Sequence, residues 1–370
     1  MHILCRREAW YQAEILYMEG FNGLAVGSNT GWYSLQDLEE EDFDYSIIPA
    51  ESFLPKFVSY YNNSKKYKED LVRKVLYGND WYSSVSNATR AESTKRLLQA
   101  IFLPMHALEL FHKARNICSS DKLKAMESWD RGASLLVGSI EGSQVGGTIN
   151  GTSWYSMSKE FCSFFGTCND GSSNAKANGR MMTLLQEGTV PLNEGVCNNL
   201  GTIVENIEST LLIPLVQGTL HFAVLNGGPS EFRSYESLGA GYALARSILP
   251  LLKSGNEAMA TVVNDWTSNP SVSEGSHNVV WNAIARTWES FGVNCQDIGE
   301  YNGTSFCQVV DSCSSNGCAD PVLDDESTGK WNIDNGIGSP ESSKDEDDGS
   351  DADTTIGLSR YQFSNSIIEL

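Results

Sequence analysis

Residues 91–116 read AESTKRLLQAIFLPMHALELFHKARN. Leu97, Ile101, Met105 and Leu108 recur at helical intervals of three and four, and the alternation of a β-strand is absent. A second stretch has the same character: residues 199–225 read NLGTIVENIESTLLIPLVQGTLHFAVL. Each carries a proline near its middle, Pro104 and Pro214, and a polar residue soon after it, His106 or Gln217. A proline inside a helix removes a backbone hydrogen bond and kinks the chain, at a cost of roughly 3 kcal/mol. Two prolines at matching places imply a shared geometry, in which His106 and Gln217 lie inside, close to the freed carbonyls.

Outward from these helices the chain repeats itself. EGFNGLAVGSNTGWYS (19–34) is echoed by EGSQVGGTINGTSWYS (141–156), so that Glu19 and Trp32 match Glu141 and Trp154 with no gap. Each copy continues into a helical stretch ending in glycine, YKEDLVRKVLYG (67–78) or NAKANGRMMTLLQEG (174–188), and then into one of the two long helices. A partial third copy begins at 239–252, and a further helix is expected over 278–292. The predicted fold class is all-α: duplicated helical-bundle repeats joined by long Gly-rich connectors. The expected divisions are 1–120 and 121–235 for the two repeats, 236–294 for the partial third, 295–319 for a Cys-rich segment and 320–370 for an acidic, disordered tail. Repeats packed face to face would bring their matching residues together, as in bundles that hold metals in their cores.

The net charge of −21 argues against nucleic acid and anionic membranes as partners. Much of that charge is local: residues 320–353 hold twelve Asp or Glu and two Lys, a net of −10, which leaves −11 for the rest. Nine cysteines form no CxxC pair, whereas Cys162/Cys168 and Cys313/Cys318 suit short disulfide loops. Glycosylation sequons stand at Asn62, Asn87, Asn150 and Asn302. Cysteines and sequons together favour a secreted, periplasmic or cell-surface location. The opening MHILCRREAW has charges where a signal peptide is apolar; by comparison with the second copy, the chain is expected to begin inside its first helix, as a gene model shortened at its N-terminus would. The most apolar run, 210–225, is short for a membrane span and reads as a buried helix.

His106 and Glu109 stand three residues apart, about 60° around a helix, and can offer a nitrogen and an oxygen to one ion. Their neighbours are apolar, so both are expected to face the core, where they need partners. Glu19 and Glu141 are candidate ligands by their matching settings, with a helix-end carboxylate bonded to backbone as the plainer alternative. Asp130 is a third candidate. It is eleven residues from Glu141, roughly 16 Å along an unbroken helix, so the two cannot share one ion. Tyr155, like Tyr33, could supply a hard phenolate oxygen to ferric iron or could simply pack. Arg246, in an apolar helix, requires an anion or a carboxylate beside it. Neither GxSxG, Walker A, GxGxxG after a strand nor HExxH occurs, and no enzymatic activity is expected.

WDRGASLLVGSIEG (129–142), NGTSWYSMSKEFCSFFGTC (150–168), IESTLLIPLVQGTL (207–220) and GYALARSILPLL (241–252) resemble the low-iron-inducible periplasmic protein family of algae, over roughly residues 10–300. The resemblance implies binding of ferric iron at the cell surface with carbonate as companion anion. It also implies uptake under iron starvation, with membrane-anchored or endocytic machinery as partner. Metal is then expected to be lost on acidification. His106 and Glu109 also look like the HxxE element of imelysin-like helical proteins. Three alternatives stay open: a metal-free structural glycoprotein, a carbon-dioxide-responsive surface protein, and a metal-dependent hydrolase.

Overall fold

The computed structural model describes residues 2–19, 34–40, 43–138, 153–169, 174–230, 233–272, 276–287, 292–301 and 304–305. In chain order its helices are α1 (His2–Arg6), α2 (Trp10–Glu19), α3 (Leu35–Glu40), α4 (Phe53–Tyr60), α5 (Tyr67–Tyr77), α6 (Asn87–Leu97), α7 (Leu103–Ile117), α8 (Lys122–Val137), α9 (Trp154–Cys162), α10 (Lys176–Glu194), α11 (Leu200–Gly227), α12 (Tyr235–Gly255), α13 (Glu257–Ser268), α14 (His277–Ala285) and α15 (Cys295–Ile298). The strands among the described residues are β1 (Glu300–Tyr301) and β2 (Thr304–Ser305), paired antiparallel. The all-α expectation holds, and the described residues belong to one compact unit.

The opening stretch forms one helical run whose middle is a π segment, Leu98–Phe102, between α6 and α7. Ser86 caps its start, its hydroxyl accepting from the Thr89 N–H at 3.2 Å. The Leu103 N–H reaches back to the Leu98 carbonyl, which inserts one extra residue into the turn. Pro104 follows this π turn directly, so its missing N–H falls where the hydrogen-bond register changes. Pro214 sits differently, within the unbroken helix α11. The two prolines therefore do not share one backbone geometry. The expected counterparts α5 and α10 also differ, at eleven and nineteen residues. The comparison of Glu19 with Glu141 and of Trp32 with Trp154 rests on 20–33 and 139–152, which lie outside the described residues.

α11 is the central post. Between Thr210 and Ala223 every residue is buried, and α7, α9, α10, α12 and α14 pack around it. The segment Cys197–Gly227 is long and apolar enough to cross a membrane, but its most apolar window is 89% buried within the protein, as expected of a core helix. α12 also lies on α6 and α13. Its approach to α6 depends on Gly239: a Cβ there would stand 2.2 Å from the Thr89 carbonyl oxygen. Pro250 of α12 has no N–H for the Arg246 carbonyl, and the Tyr61 hydroxyl fills that role at 3.0 Å.

Helix α8 ends at Gly138 (φ 76°), three residues before Glu141. α14 covers the first part of the helix expected over 278–292. The Cys162–Cys168 bridge forms as expected, with Cα atoms 4.8 Å apart. A second bridge, Cys118–Cys197, was not anticipated; it ties the end of α7 to the turn before α11. Cys295 is also disulfide-bonded, and Cys5 is free and buried. Asn62 is exposed in a turn, whereas Asn87 begins α6 and is partly buried. Cys313, Cys318, Asn150, Asn302 and the acidic tail lie outside the described residues.

Candidate functional site

Helix α7 lays a polar stripe through an apolar core. His106, Glu109 and His112 follow one another at intervals of three, and all are buried. The reason is local: Met105, Leu108, Leu110 and Phe111 bury every side of this turn, so the polar residues go in with them. Each must then find a partner inside.

Glu109 finds three. Its Oε1 accepts from the Tyr45 hydroxyl at 2.5 Å. Its Oε2 accepts from Lys68 Nζ at 2.6 Å and lies 3.0 Å from His106 Nδ1. Tyr45 opens a short 3-10 turn, Tyr45–Ile47, which Asp44 caps through the Ser46 N–H. Lys68 comes from the first turn of α5 and is buried despite its charge. Burial alone would push the Glu109 carboxyl up, but the Lys68 ammonium and the His106 contact outweigh it and bring it down to about 2. Glu109 is therefore a carboxylate at any ordinary pH, and an ionised carboxylate requires the His106 proton to sit on Nδ1. The cluster brings together a phenol, a carboxylate, an imidazole and one ammonium that balances the carboxylate.

A second buried group lies further along α7. The Ser52 hydroxyl donates to Glu208 Oε1, and His112 Nε2 stands 3.1 Å from that oxygen and 3.2 Å from Ser52 Oγ. The order serine–histidine–acid invites comparison with a catalytic relay. In a relay, however, the acid holds the imidazole nitrogen opposite the serine, and here both meet the same nitrogen. Ser52 also caps α4, accepting from the Leu54 N–H at 3.4 Å. This group ties α4, α7 and α11 together. Arg96 makes a third tie. Its guanidinium binds Glu160 with two bonds of 2.7 and 2.5 Å and Glu92 with one of 2.9 Å, joining α6 to α9.

Of the residues expected to bind metal, His106 and Glu109 are brought together in the interior. Glu19 is exposed at the end of α2, and Asp130 is exposed on α8. Glu141 lies outside the described residues. Tyr155 is buried on α9, and burial pushes its phenol up. Trp154 beside it is fully buried, donating to the Leu211 carbonyl at 3.0 Å near Pro214, so this pair packs. Gln217 is interior as expected, but it donates to Thr167 Oγ1 and the Ile298 carbonyl, not to its own kinked helix. Among the described residues no group of three or more His, Cys, Asp or Glu stands together in a way that could hold a metal ion. Among the described residues Glu19 and Asp130 thus stand apart from His106 and Glu109, and the oxygen donor that meets Glu109 is Tyr45. Arg246 has no carboxylate beside it among the described residues; Asn264 and Ser268 accept from it instead.

Tyr45 and Lys68 were missed by reading the sequence. YKEDLVRK reads as a charged surface helix, and nothing local separates Lys68 from Lys66 or Lys74. Glu208 carried a usable signal, a carboxylate beside the apolar run TLLIPL. No family model, curated protein or solved structure matches the chain.

Proposed function

We propose that this chain is an extracytoplasmic protein that binds ferric iron for assimilation, with Tyr45, His106 and Glu109 at the heart of the ion site and a small anion such as carbonate as companion. One observation carries the reading: a phenol, a carboxylate and an imidazole converge in the core, with the Lys68 ammonium where a cation would be held. Ferric iron is a hard cation, and phenolate and carboxylate oxygens with an imidazole form a donor set suited to it. Glu109 would exchange the Lys68 ammonium for the ion, and Tyr45 would give up its proton to ligate. Disulfides at Cys162–Cys168 and Cys118–Cys197 support an oxidising compartment. The sequence resemblance described above points the same way.

The test is titration of the metal-free full chain with a ferric chelate near neutral pH, read by visible absorption. Wild type should develop a phenolate-to-iron charge-transfer band. Tyr45→Phe should lose the band, and Glu109→Gln should bind at least about a hundredfold more weakly, as expected for loss of a charged ligand. Each proton that iron displaces makes apparent affinity fall about tenfold per pH unit on acidification. Glu109 is already ionised, so the protons that compete are those of Tyr45 and His106. If wild type binds no ferric ion, or Tyr45→Phe keeps the band, the cluster is a structural tie and the metal-free glycoprotein reading takes its place.

A further inference from the structure

The charge that the iron reading leaves unused is that of Arg246. It stands in the middle of α12 and is only 9% exposed. Nη1 donates to Asn264 Oδ1 at 2.7 Å and Nη2 to Ser268 Oγ at 3.0 Å. The guanidinium carbon lies 4.1 Å from the centre of the Tyr242 ring. Two neutral acceptors and a ring face solvate a cation without neutralising it. A guanidinium this deep ordinarily has an acid beside it, because an uncompensated buried charge is costly.

The surroundings are built from rings and neutral acceptors, and the nearest carboxylate reached through them, Asp265, accepts from Asn264 Nδ2 at 3.1 Å and not from the guanidinium. Tyr242 stacks on Trp81 with ring centres 3.8 Å apart, and Trp81 is held in turn by the Ser268 carbonyl at 2.8 Å. Tyr60 stands edge-on to Tyr61 at 4.9 Å, and the Tyr61 hydroxyl is committed to the Arg246 carbonyl. Lys253, two helical turns along α12 from Arg246, lies 5.9 Å from the Tyr60 ring centre. Its ammonium is half exposed and pairs with Glu257 at 3.3 Å. The Tyr242 hydroxyl also meets the guanidinium and keeps its own proton to donate, as does the Tyr60 hydroxyl, beside the guanidinium donors not committed to Asn264 and Ser268. One net positive charge calls for a monoanion, and the flat donor edge of a guanidinium matches a planar O–C–O group better than a tetrahedral ion.

We propose that Arg246, with Tyr60 and Tyr242, forms a binding site for a small organic carboxylate. The site is independent of the ion cluster on α7. An anion that binds the folded state alone, at free concentration L, raises its stability by RT ln(1 + L/Kd), which keeps growing logarithmically above Kd.

The experiment uses the iron-free full chain and follows thermal unfolding and tryptophan fluorescence during titration with acetate and with benzoate. Chloride and sulfate at equal ionic strength serve as controls. Wild type should show a saturable fluorescence change and a Tm that rises logarithmically with the carboxylates, and neither with chloride. Arg246→Met should abolish the rise, and Tyr60→Phe should weaken binding about threefold to tenfold, as loss of one hydrogen bond does. Without ligand, Arg246→Met should unfold no earlier than wild type, since it removes an uncompensated charge. Absence of the rise in wild type, its persistence in Arg246→Met, or an equal response to sulfate overturns the proposal. If Arg246→Met does not fold, unchanged affinity in Tyr60→Phe overturns it alone. Ferric binding is measured separately on Tyr60→Phe and should equal that of wild type, so the two readings fail independently.

Discussion

His221 is a residue whose chemistry is set almost wholly by its neighbours. Its ring stacks on Phe164 with centres 4.2 Å apart and meets Phe222 edge-on at 5.0 Å. Its Nδ1 lies 3.1 Å from the Tyr301 hydroxyl. The charged groups that act on it are Glu160 and Arg96, which pull in opposite directions and bind one another. Burial brings its pKa down from 6.5 to about 4. The unfolded chain then takes up a proton before the folded one does. Stability is therefore fully present above the unfolded pKa and is lost as pH falls from 6.5 towards 4, by up to about 3 kcal/mol. Urea unfolding of wild type near pH 7 and near pH 4 should show this loss. In His221→Phe the difference between the two pH values should shrink by about that amount. An unchanged difference would assign the acid sensitivity to other groups. Glu109, lowered from 4.5 to about 2, begins to add its own loss only below about pH 4.5, at the acid end of this window, and that share is common to wild type and His221→Phe. At this scale the burial of His106 and Glu109 was legible, because apolar neighbours surround them on the chain. Their partners were not, because Tyr45 and Lys68 lie 64 and 41 residues from Glu109 and meet it only in the fold.

Helix α10 carries two glycines with opposite meanings. Gly188 lies against Trp129 of α8, and a Cβ there would stand 1.9 Å from the indole Cζ2. Trp129 cannot retreat: it is buried, packs on Phe111 at 4.6 Å and donates to the Leu185 carbonyl at 3.0 Å. Gly179, in the same helix, is exposed and has nothing within 4 Å. Gly188→Ala should therefore lower stability by about 1–3 kcal/mol through overpacking. Gly179→Ala should raise it by about 0.5–1 kcal/mol through helix propensity. Equilibrium unfolding of the two variants checks both signs, and a stabilising Gly188→Ala would place Trp129 elsewhere. Element type was the most legible level: the runs at 91–116 and 199–225 are helices because the apolar period says so. The π segment before Pro104 was not legible, since the extra residue in the turn is accommodated by packing and has no marker in LLQAIFLP.

Across the whole molecule, the two described disulfides act over very different lengths. Cys118–Cys197 spans 79 residues and joins the two helices that carry Glu109, His112 and Glu208, whereas Cys162–Cys168 spans six. Chain-entropy arguments assign about 4–5 kcal/mol to the longer loop and about 2 kcal/mol to the shorter. Replacing Cys118 and Cys197 together by serine should cost the fold more than replacing Cys162 and Cys168 together. Chemical denaturation of the two double variants gives the comparison, and the reverse order would mean that the long loop is already restrained in the unfolded chain. The short bridge could be read from spacing alone, because six residues leave two cysteines near each other in almost any conformation. The long bridge could not, because its closure depends on how α7 and α11 are packed.

By itself the sequence determined the all-α class, the buried character of α11, the short disulfide and the inward placement of His106 and Glu109. All of these follow from local periodicity, local spacing or the polarity of immediate neighbours. Only the tertiary structure decided that Tyr45 and Lys68 complete the Glu109 cluster, that Glu208 meets Ser52 and His112, and that Arg246 has aromatic rings and amide and hydroxyl acceptors beside it in place of a carboxylate. A charged side chain must be compensated wherever it is buried, but what compensates it is chosen by the crossing of helices distant in the chain.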